Sequence, residues 1–583
     1  REDWNSLWKY TYLTGNGADT NGVWTNLSMN IPNNGTTDFD NFNSQGGYNL
    51  TIKVMPSNPD VIIIGGTNLY RSTDGFTSMN NTTQIGGYYV GSWSPGHWGS
   101  YLNHHPDQHE LIFLPSDNNV LLSASDGGIA RTNQVLDSVV EWISLNHGYL
   151  TTQLYTVGVD PSSTNDLMVA GFQDNGNYFV NSPDTQADWV MPLNGDGSYM
   201  GITNGADYFY LSIQMGRIYK MQLDSAGAVL GFGRIDPIGP LKSDYLFINP
   251  LALDRNNNDI MYVGAGNNLW RNDQLSNIPM AGNYDTIGQG WFTYSDSISS
   301  QSKKISAIAI SKSPANIVWY GTTSRYFYKI VDAHTGDPLH EQMPIIGFPP
   351  ANVSSIAIAP DNADVVMIAF SNYSVYSIFY TLDGGDNWVK GAGNLEESTN
   401  GSGSGPSIRS VAILPVGQDR LYFAGTSIGL FVTHQLDSLN TEWHQIGGDD
   451  FGNVVVEMVY TRETDGLVIA ATHGKGIYTT HITSIEQVIP LSENEISTNK
   501  IDFRVYPNPI IDRATIDISL NYPDDLKISV FDLSGRIVRK IEENHVESGS
   551  HSFEIDISEL KSGTYVLKIE GKNIVATKKI MKS

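Results

Sequence analysis

Cysteine is absent from the 583 residues, which removes disulfides, thiol nucleophiles and every cysteine-ligated zinc or iron–sulfur site. Long apolar runs are missing too; the longest are strand-length, so no membrane span is expected. Charged residues make up only 16%, and basic charge is the scarcer kind: 34 Lys and Arg stand against 61 Asp and Glu, a net charge of -27. The imbalance is local. Residues 501–583 carry 12 basic and 13 acidic side chains, whereas the first 500 carry 22 and 48. A surface so acidic repels phosphate backbones, which argues against nucleic acid and leaves calcium, cationic surfaces and neutral polysaccharides open. No signal peptide heads the chain, and Arg1 reads as a mature or trimmed start.

Glycine and aromatic residues are plentiful, with 57 Gly, 30 Tyr, 20 Phe and 12 Trp, a composition that favours strands and tight turns over helices. The fold class is therefore all-β. One unit recurs: an apolar strand, a Pro/Asp/Asn turn, a short apolar run closing on a small residue, then a polar turn and an aromatic strand. It is seen in VMPSNPDVIIIGGTNLYRSTDG (54–75), LDRNNNDIMYVGAGNNLWRND (253–273) and ILPVGQDRLYFAGTSIGLFVT (413–433). Nine copies are anchored on Gly66, Ala124, Gly171, Ser212, Gly264, Gly321, Ala369, Gly425 and Ala471. Their spacing is that of a four-stranded blade, so residues 1–484 are expected to form a large β-propeller. Nine units fit eight to ten blades in one ring, or one full and one partial ring. GVWTNLSM (22–29) is expected to act as an outer strand that closes the ring.

Two turns carry a further motif. TLDGGDNW (381–388) and RSTDGFTSM (71–79) fall between third and fourth strands and resemble the Asp-box of sialidase-type (BNR) repeats. In that motif the carboxylate ties the turn's backbone and the Trp packs beneath it. The resemblance implies structural roles for Asp74, Gly75, Asp383, Gly384 and Trp388. Other stretches, NHHPDQHELIFLPSDNNVLLSASDGGI (103–129), GFQDNGNYF (171–179) and NGDGSYMGI (194–202), are similar to secreted sortilin-like or xyloglucanase-like BNR proteins, a group that mixes hydrolases and receptors. Sialidase activity is argued against by sparse arginine and a missing Arg-Ile-Pro segment. A xyloglucanase-like glycoside hydrolase would need paired carboxylates across a groove. Asp107, Asp126, Asp174 and Asp196 stand at turns of successive early repeats and are the candidates, with Trp93, Trp98, Tyr101 and Tyr199 as candidate sugar-stacking residues. The plainer reading of the same Asp residues is ordinary turns, which any such propeller shows. The leading expectation is a binding or adhesion scaffold for a glycan or surface protein, with the hydrolase as the alternative.

His104, His105, Asp107 and His109 offer imidazole and carboxylate donors for a first-row metal, against the plainer reading of a hydrogen-bonded loop. No cofactor is firmly indicated. Calcium is the cation that ADTNG (18–22) and DRNNND (254–259) leave open, although neither has the ligand spacing of an EF-hand.

Residues 485–500 are polar and aperiodic and read as a linker. From 501 the pattern changes to period-two alternation, which predicts a small antiparallel β-sandwich. Tyr506-Pro507-Asn508-Pro509, Asp532 with Gly535, Gly563 with Tyr565, and the basic tail at Lys578 and Lys579 stand in the order that resembles the type A sorting domain of the type IX secretion system of Bacteroidota. This implies export through the periplasm to the outer cell surface or beyond, and recognition by the translocon and its outer-membrane shuttle.

Overall fold

The computed structural model describes residues 5–17, 21–33, 41–89, 99–298, 303–345, 347–371, 373–489, 503–520, 522–532, 536–571 and 574–583. The protein is all-β and divides into two compact units, Arg1–Ile489 and Pro490–Ser583. Among the described residues no helix is long and apolar enough to cross a membrane.

In the first unit the nine repeats fold as nine antiparallel sheets, here numbered I to IX: 51–86, 108–144, 154–193, 197–234, 251–293, 305–342, 352–390, 408–446 and 456–481. Eight have four strands and sheet IX has three. The first strand of each sheet from III to VIII packs against the first strand of the next, and that of sheet IX, Val456–Arg462, returns to that of sheet III, Leu154–Val159. The return is firmly made. Leu467, Ile469 and Ala471 share a buried cluster with Leu154 and Val157, the Arg462 guanidinium donates to the Asn165 carbonyl at 3.1 Å, and Thr464 Oγ1 donates to the Pro161 carbonyl. The seven first strands line one cavity of about 310 Å³. Sheets I and II pack side by side through Thr51–Met55 and Gln108–Leu114.

Close approach explains why a small residue recurs at the end of each second strand. A Cβ on Gly321 would lie 2.3 Å from the Val353 side chain that opens sheet VII, and one on Gly171 would lie 2.7 Å from the Gly197 backbone that opens sheet IV.

A second device joins neighbours. In the third strand of several sheets an aromatic–basic pair turns its cation into the next sheet. Lys220 Nζ donates to the carbonyls of Leu275 at 2.8 Å, Ser276 at 3.2 Å and Ile278 at 2.9 Å. Arg271 reaches Ala333 and Gly336, Arg71 reaches Val135 and Asp137, and Lys329 reaches Gly384. These cations, of which Lys220, Arg71 and Arg271 are buried, satisfy backbone carbonyls that no strand pairs.

Two expectations are revised. GVWTNLSM does not close a ring: Gly22–Asn26 pairs with Trp8–Tyr12 as a separate two-stranded hairpin, its aromatic face set by Tyr10 against Trp24 at 5.0 Å. The first unit also runs past 484. Ile485, Val488 and Ile489 pack on the core of sheets VIII and IX, because these three apolar residues continue the buried side of Ile482 within a stretch read as polar.

The second unit has a three-stranded and a four-stranded antiparallel sheet around one core that includes Ile516, Ile528, Val530, Leu567 and Ile569. The Tyr506–Pro509 segment is tied to the last strand, Val575–Lys582. Asn508 accepts from the Met581 N–H at 2.8 Å and donates to the Lys579 carbonyl. Tyr506 donates to Asp517, Tyr565 to the Lys561 carbonyl, and Lys578 Nζ to the Phe503 carbonyl. Asp532 receives the Arg536 N–H, Gly563 pairs with Lys582, Lys579 is exposed, and Gly535 lies outside the described residues.

Candidate functional site

In an antiparallel sheet, the approach to the first strand and the turn between the second and third lie at one end. The turn between the third and fourth lies at the other. Asp107 precedes the first strand of sheet II, and Asp196 that of sheet IV. Asp126 occupies the second turn of sheet II, and Asp174 that of sheet III. The structure brings these four carboxylates to one end of neighbouring sheets, whereas Asp74 and Asp383 stand at the opposite end of theirs.

The four are mutually dependent. The Asp174 N–H donates to Asp196 Oδ1 at 2.9 Å, and the Asp126 N–H to the Asp107 carbonyl at 3.3 Å. Asp107 Oδ1 receives amide donors from Gln45 and Asn49, both at 2.5 Å. Burial nevertheless raises the Asp107 carboxyl to about 6, and the charge of Asp126 adds to the rise. Burial also raises Asp174, with Asp126 adding to it. Asp196 rises to about 6 through burial and the charge of Asp174, against the lowering effect of the Asp174 N–H. Asp107 (φ 62°) and Asp174 (φ 58°) both occupy left-handed backbone, a conformation uncommon outside glycine that sets where each carboxylate points.

Tyrosines and histidines frame the carboxylates. Tyr48 OH donates to Asp126 at 3.2 Å, and its own pKa is pushed up to about 12 by burial and then by Asp126. Tyr155 OH donates to Gln173 at 2.7 Å; burial, then Asp196 and Asp174, raise it. His109 Nε2 is 2.6 Å from Asp126 Oδ1. His105 lies with Nε2 at 2.7 Å from the Asp174 carbonyl and Nδ1 at 2.9 Å from the Pro106 carbonyl, bridging sheets II and III.

The candidate metal set does not converge. His104 faces the interior, its ring 4.0 Å from that of Trp142, and Nδ1 accepts the Gly87 N–H. Burial pushes its pKa down to about 3, so it is a neutral packed histidine. Among the described residues no three His, Asp or Glu side chains stand where they could share an ion. At DRNNND one Asp254 carboxylate oxygen takes the Asn256 N–H at 2.8 Å, while Oδ2 is buried without a hydrogen-bond partner; residues 18–20 lie outside the described residues.

Of the stacking candidates, Trp93 and Trp98 lie outside the described residues. Tyr101 stacks on Tyr89 at 4.3 Å and donates to the Gln84 carbonyl. Tyr199 lines the cavity of the seven first strands instead of the carboxylate cluster. Tyr48, Tyr155, Gln45 and Asn49 were not singled out from the sequence. The available signal was position, since each stands where a chain segment enters a first strand, as Asp107 and Asp196 do.

The two motif turns share one geometry. Asp383 Oδ1 accepts from Thr381 Oγ1 at 2.7 Å and from the Asn387 N–H at 2.9 Å. Asp74 accepts from Ser72, Ser78 and Asn81. Gly384 (φ 71°) and Gly75 (φ 67°) turn the chain, and their N–H groups donate to the Asp364 and Asp60 carbonyls. Trp388 packs edge-on to Phe327 at 5.1 Å. Donors from Asn387 hold the Asp383 carboxyl down at about 2.

Residues 504–583 match the family described as the secretion system C-terminal sorting domain. No curated protein matches the chain. The second unit is thus a type IX sorting module, through which the protein meets that secretion machinery, and the chain is exported to the cell surface or beyond it.

Proposed function

We propose that the first unit is a β-propeller protein of the BNR class, with sheets III to IX as a seven-bladed ring and sheets I and II as a partial ring. It binds a hydroxyl-rich glycan at the end where Asp107, Asp126, Asp174 and Asp196 meet. The outer-membrane shuttle of the type IX system takes the sorting module. The return of sheet IX to sheet III supports the ring, and the turns at Asp74 and Asp383 support the class and its kinship with sortilin-like and xyloglucanase-like proteins.

The observation that carries the binding reading is the gathering of four carboxylates from three sheets beside Tyr48 and Tyr155. Carboxylates accept hydrogen bonds from sugar hydroxyls, and tyrosine rings offer apolar faces to the sugar. A neutral polysaccharide suits this end of the molecule, since an anionic one would meet repulsion. A second reading, glycoside hydrolysis, is favoured by the raised proton affinity of two of these carboxyls. Asp107 and Asp196 hold protons up to about 6, which suits a general acid beside a carboxylate base.

The test is a panel of neutral plant and algal polysaccharides offered to the full chain, scoring retention and reducing-end release separately. Retention without release establishes the binding protein. Release lost in Asp107→Asn or Asp196→Asn establishes the hydrolase. Neither retention nor release on any glycan overturns both.

A further inference from the structure

The cavity enclosed by the seven first strands has a charge opposite to that of the molecule around it. Across residues 1–500 acidic side chains outnumber basic ones 48 to 22, yet the charged residues lining this cavity are Arg255, Lys312, Arg409 and a single carboxylate, Glu457. Lys312 is paired with Glu463, and Arg255 rests on the Tyr460 ring with its guanidinium donating to Tyr460 OH at 2.7 Å. Neither arginine has a carboxylate partner among the described residues.

Arg409 is the sharper case. It lies in Ile408–Val416, the first strand of sheet VIII, and its Nε is buried with no hydrogen-bond partner. The Arg131 Nε of sheet II is likewise buried without a partner, whereas four other arginines of the unit use their Nη groups. Arg71 and Arg271 donate to carbonyls, and Arg234 and Arg462 grip Asp236 and Asp465. The Arg409 side chain makes no hydrogen bond or ion pair among the described residues. A guanidinium stays charged at any physiological pH, and a buried N–H without a partner is costly. Glu457 does not relieve it, standing 3.6 Å from His473 instead.

We propose that this cavity is a binding site for a small oxyanion, a carboxylate or a phosphate, gripped by the Arg409 guanidinium. The planar fork of a guanidinium matches two oxygens of either group, and about 310 Å³ holds a molecule of roughly monosaccharide size. Arg255 and Lys312 follow the ends of their first strands, so they mark the mouth away from the acidic cluster, and positive charge there draws an anion inward. Arg409, second in its own first strand, stands toward the carboxylate end, where Tyr155 also lines the cavity, but its grip on an anion does not depend on the glycan reading.

Isothermal titration of the full chain with D-glucuronate and with inorganic phosphate, at matched ionic strength, tests it. Saturable one-to-one binding of at least one is expected, and the preferred probe identifies the source of the oxyanion. Arg409→Gln should weaken that binding at least tenfold, and Arg409→Lys, which keeps charge and bulk, should restore part of it. Arg255→Gln should weaken it less. Arg420→Gln, which removes an equal charge from the surface pair with Asp361, should leave it unchanged. The proposal is overturned if neither anion binds saturably, or if Arg409→Gln and Arg420→Gln have the same effect. If Arg409→Gln does not fold, binding by Arg409→Lys and Arg255→Gln equal to that of the unaltered chain overturns it as well.

Discussion

Lys220 shows how much of this molecule is decided by single buried cations. It is 2% exposed, burial lowers its pKa, and three carbonyls of the next sheet depend on it. Lys220→Met keeps the apolar stem and leaves the Ser276 and Ile278 carbonyls unsatisfied. It should lower stability by about 2–4 kcal/mol, read as a lower urea midpoint with an unchanged slope. The pair was visible in the repeats as Tyr70-Arg71, Tyr219-Lys220, Trp270-Arg271 and Tyr328-Lys329. Its purpose was not, because the acceptors are backbone groups of a different sheet. Asp107 gives a prediction in pH. Its folded pKa, about 6, lies above the unfolded value of roughly 4, so the folded state holds the extra proton between them. Stability is then greatest below about 4 and falls as pH rises to about 6. Asp107→Asn should flatten that slope and raise the melting temperature at neutral pH; an unchanged slope would contradict the burial assigned to this carboxyl.

Among the elements, the repeated sheet was the most legible feature, since a small residue recurs wherever the next sheet's first strand crowds in. Gly321→Val should therefore push Val353 away and cost about 1–3 kcal/mol, measurable by thermal unfolding. The turn at 381–388 was legible because Asp383, Gly384 and Trp388 each have a local role that their residue types announce. Asp383→Ala should lower the melting temperature, with no loss of glycan retention, because this turn lies at the end of its sheet away from the four carboxylates. The hairpin Gly22–Asn26 was misread for a physical reason: an outer strand and a free hairpin strand both alternate in the same way, and the partner Trp8–Tyr12 decides between them. The carboxylate cluster was half legible. Each Asp marked a turn, but which turns share an end depends on how sheets I to IV pack.

For the whole molecule, the division of charge follows the division of labour. The balanced second unit is the sorting module, and the acidic first unit is what it delivers outside the cell. A chain lacking 504–583 should fold its first unit and remain in the periplasm; fractionation that finds it displayed at the surface would contradict the export route. The central functional claim is that the end bearing Asp107, Asp126, Asp174 and Asp196 is the working face. The most direct measurement compares glycan retention of the unaltered chain, of Asp126→Asn with Asp174→Asn, and of Asp74→Ala with Asp383→Ala, all confirmed as folded. Retention lost in the first pair of changes and kept in the second is the predicted result. Retention kept in the first pair, or lost in the second, would contradict it.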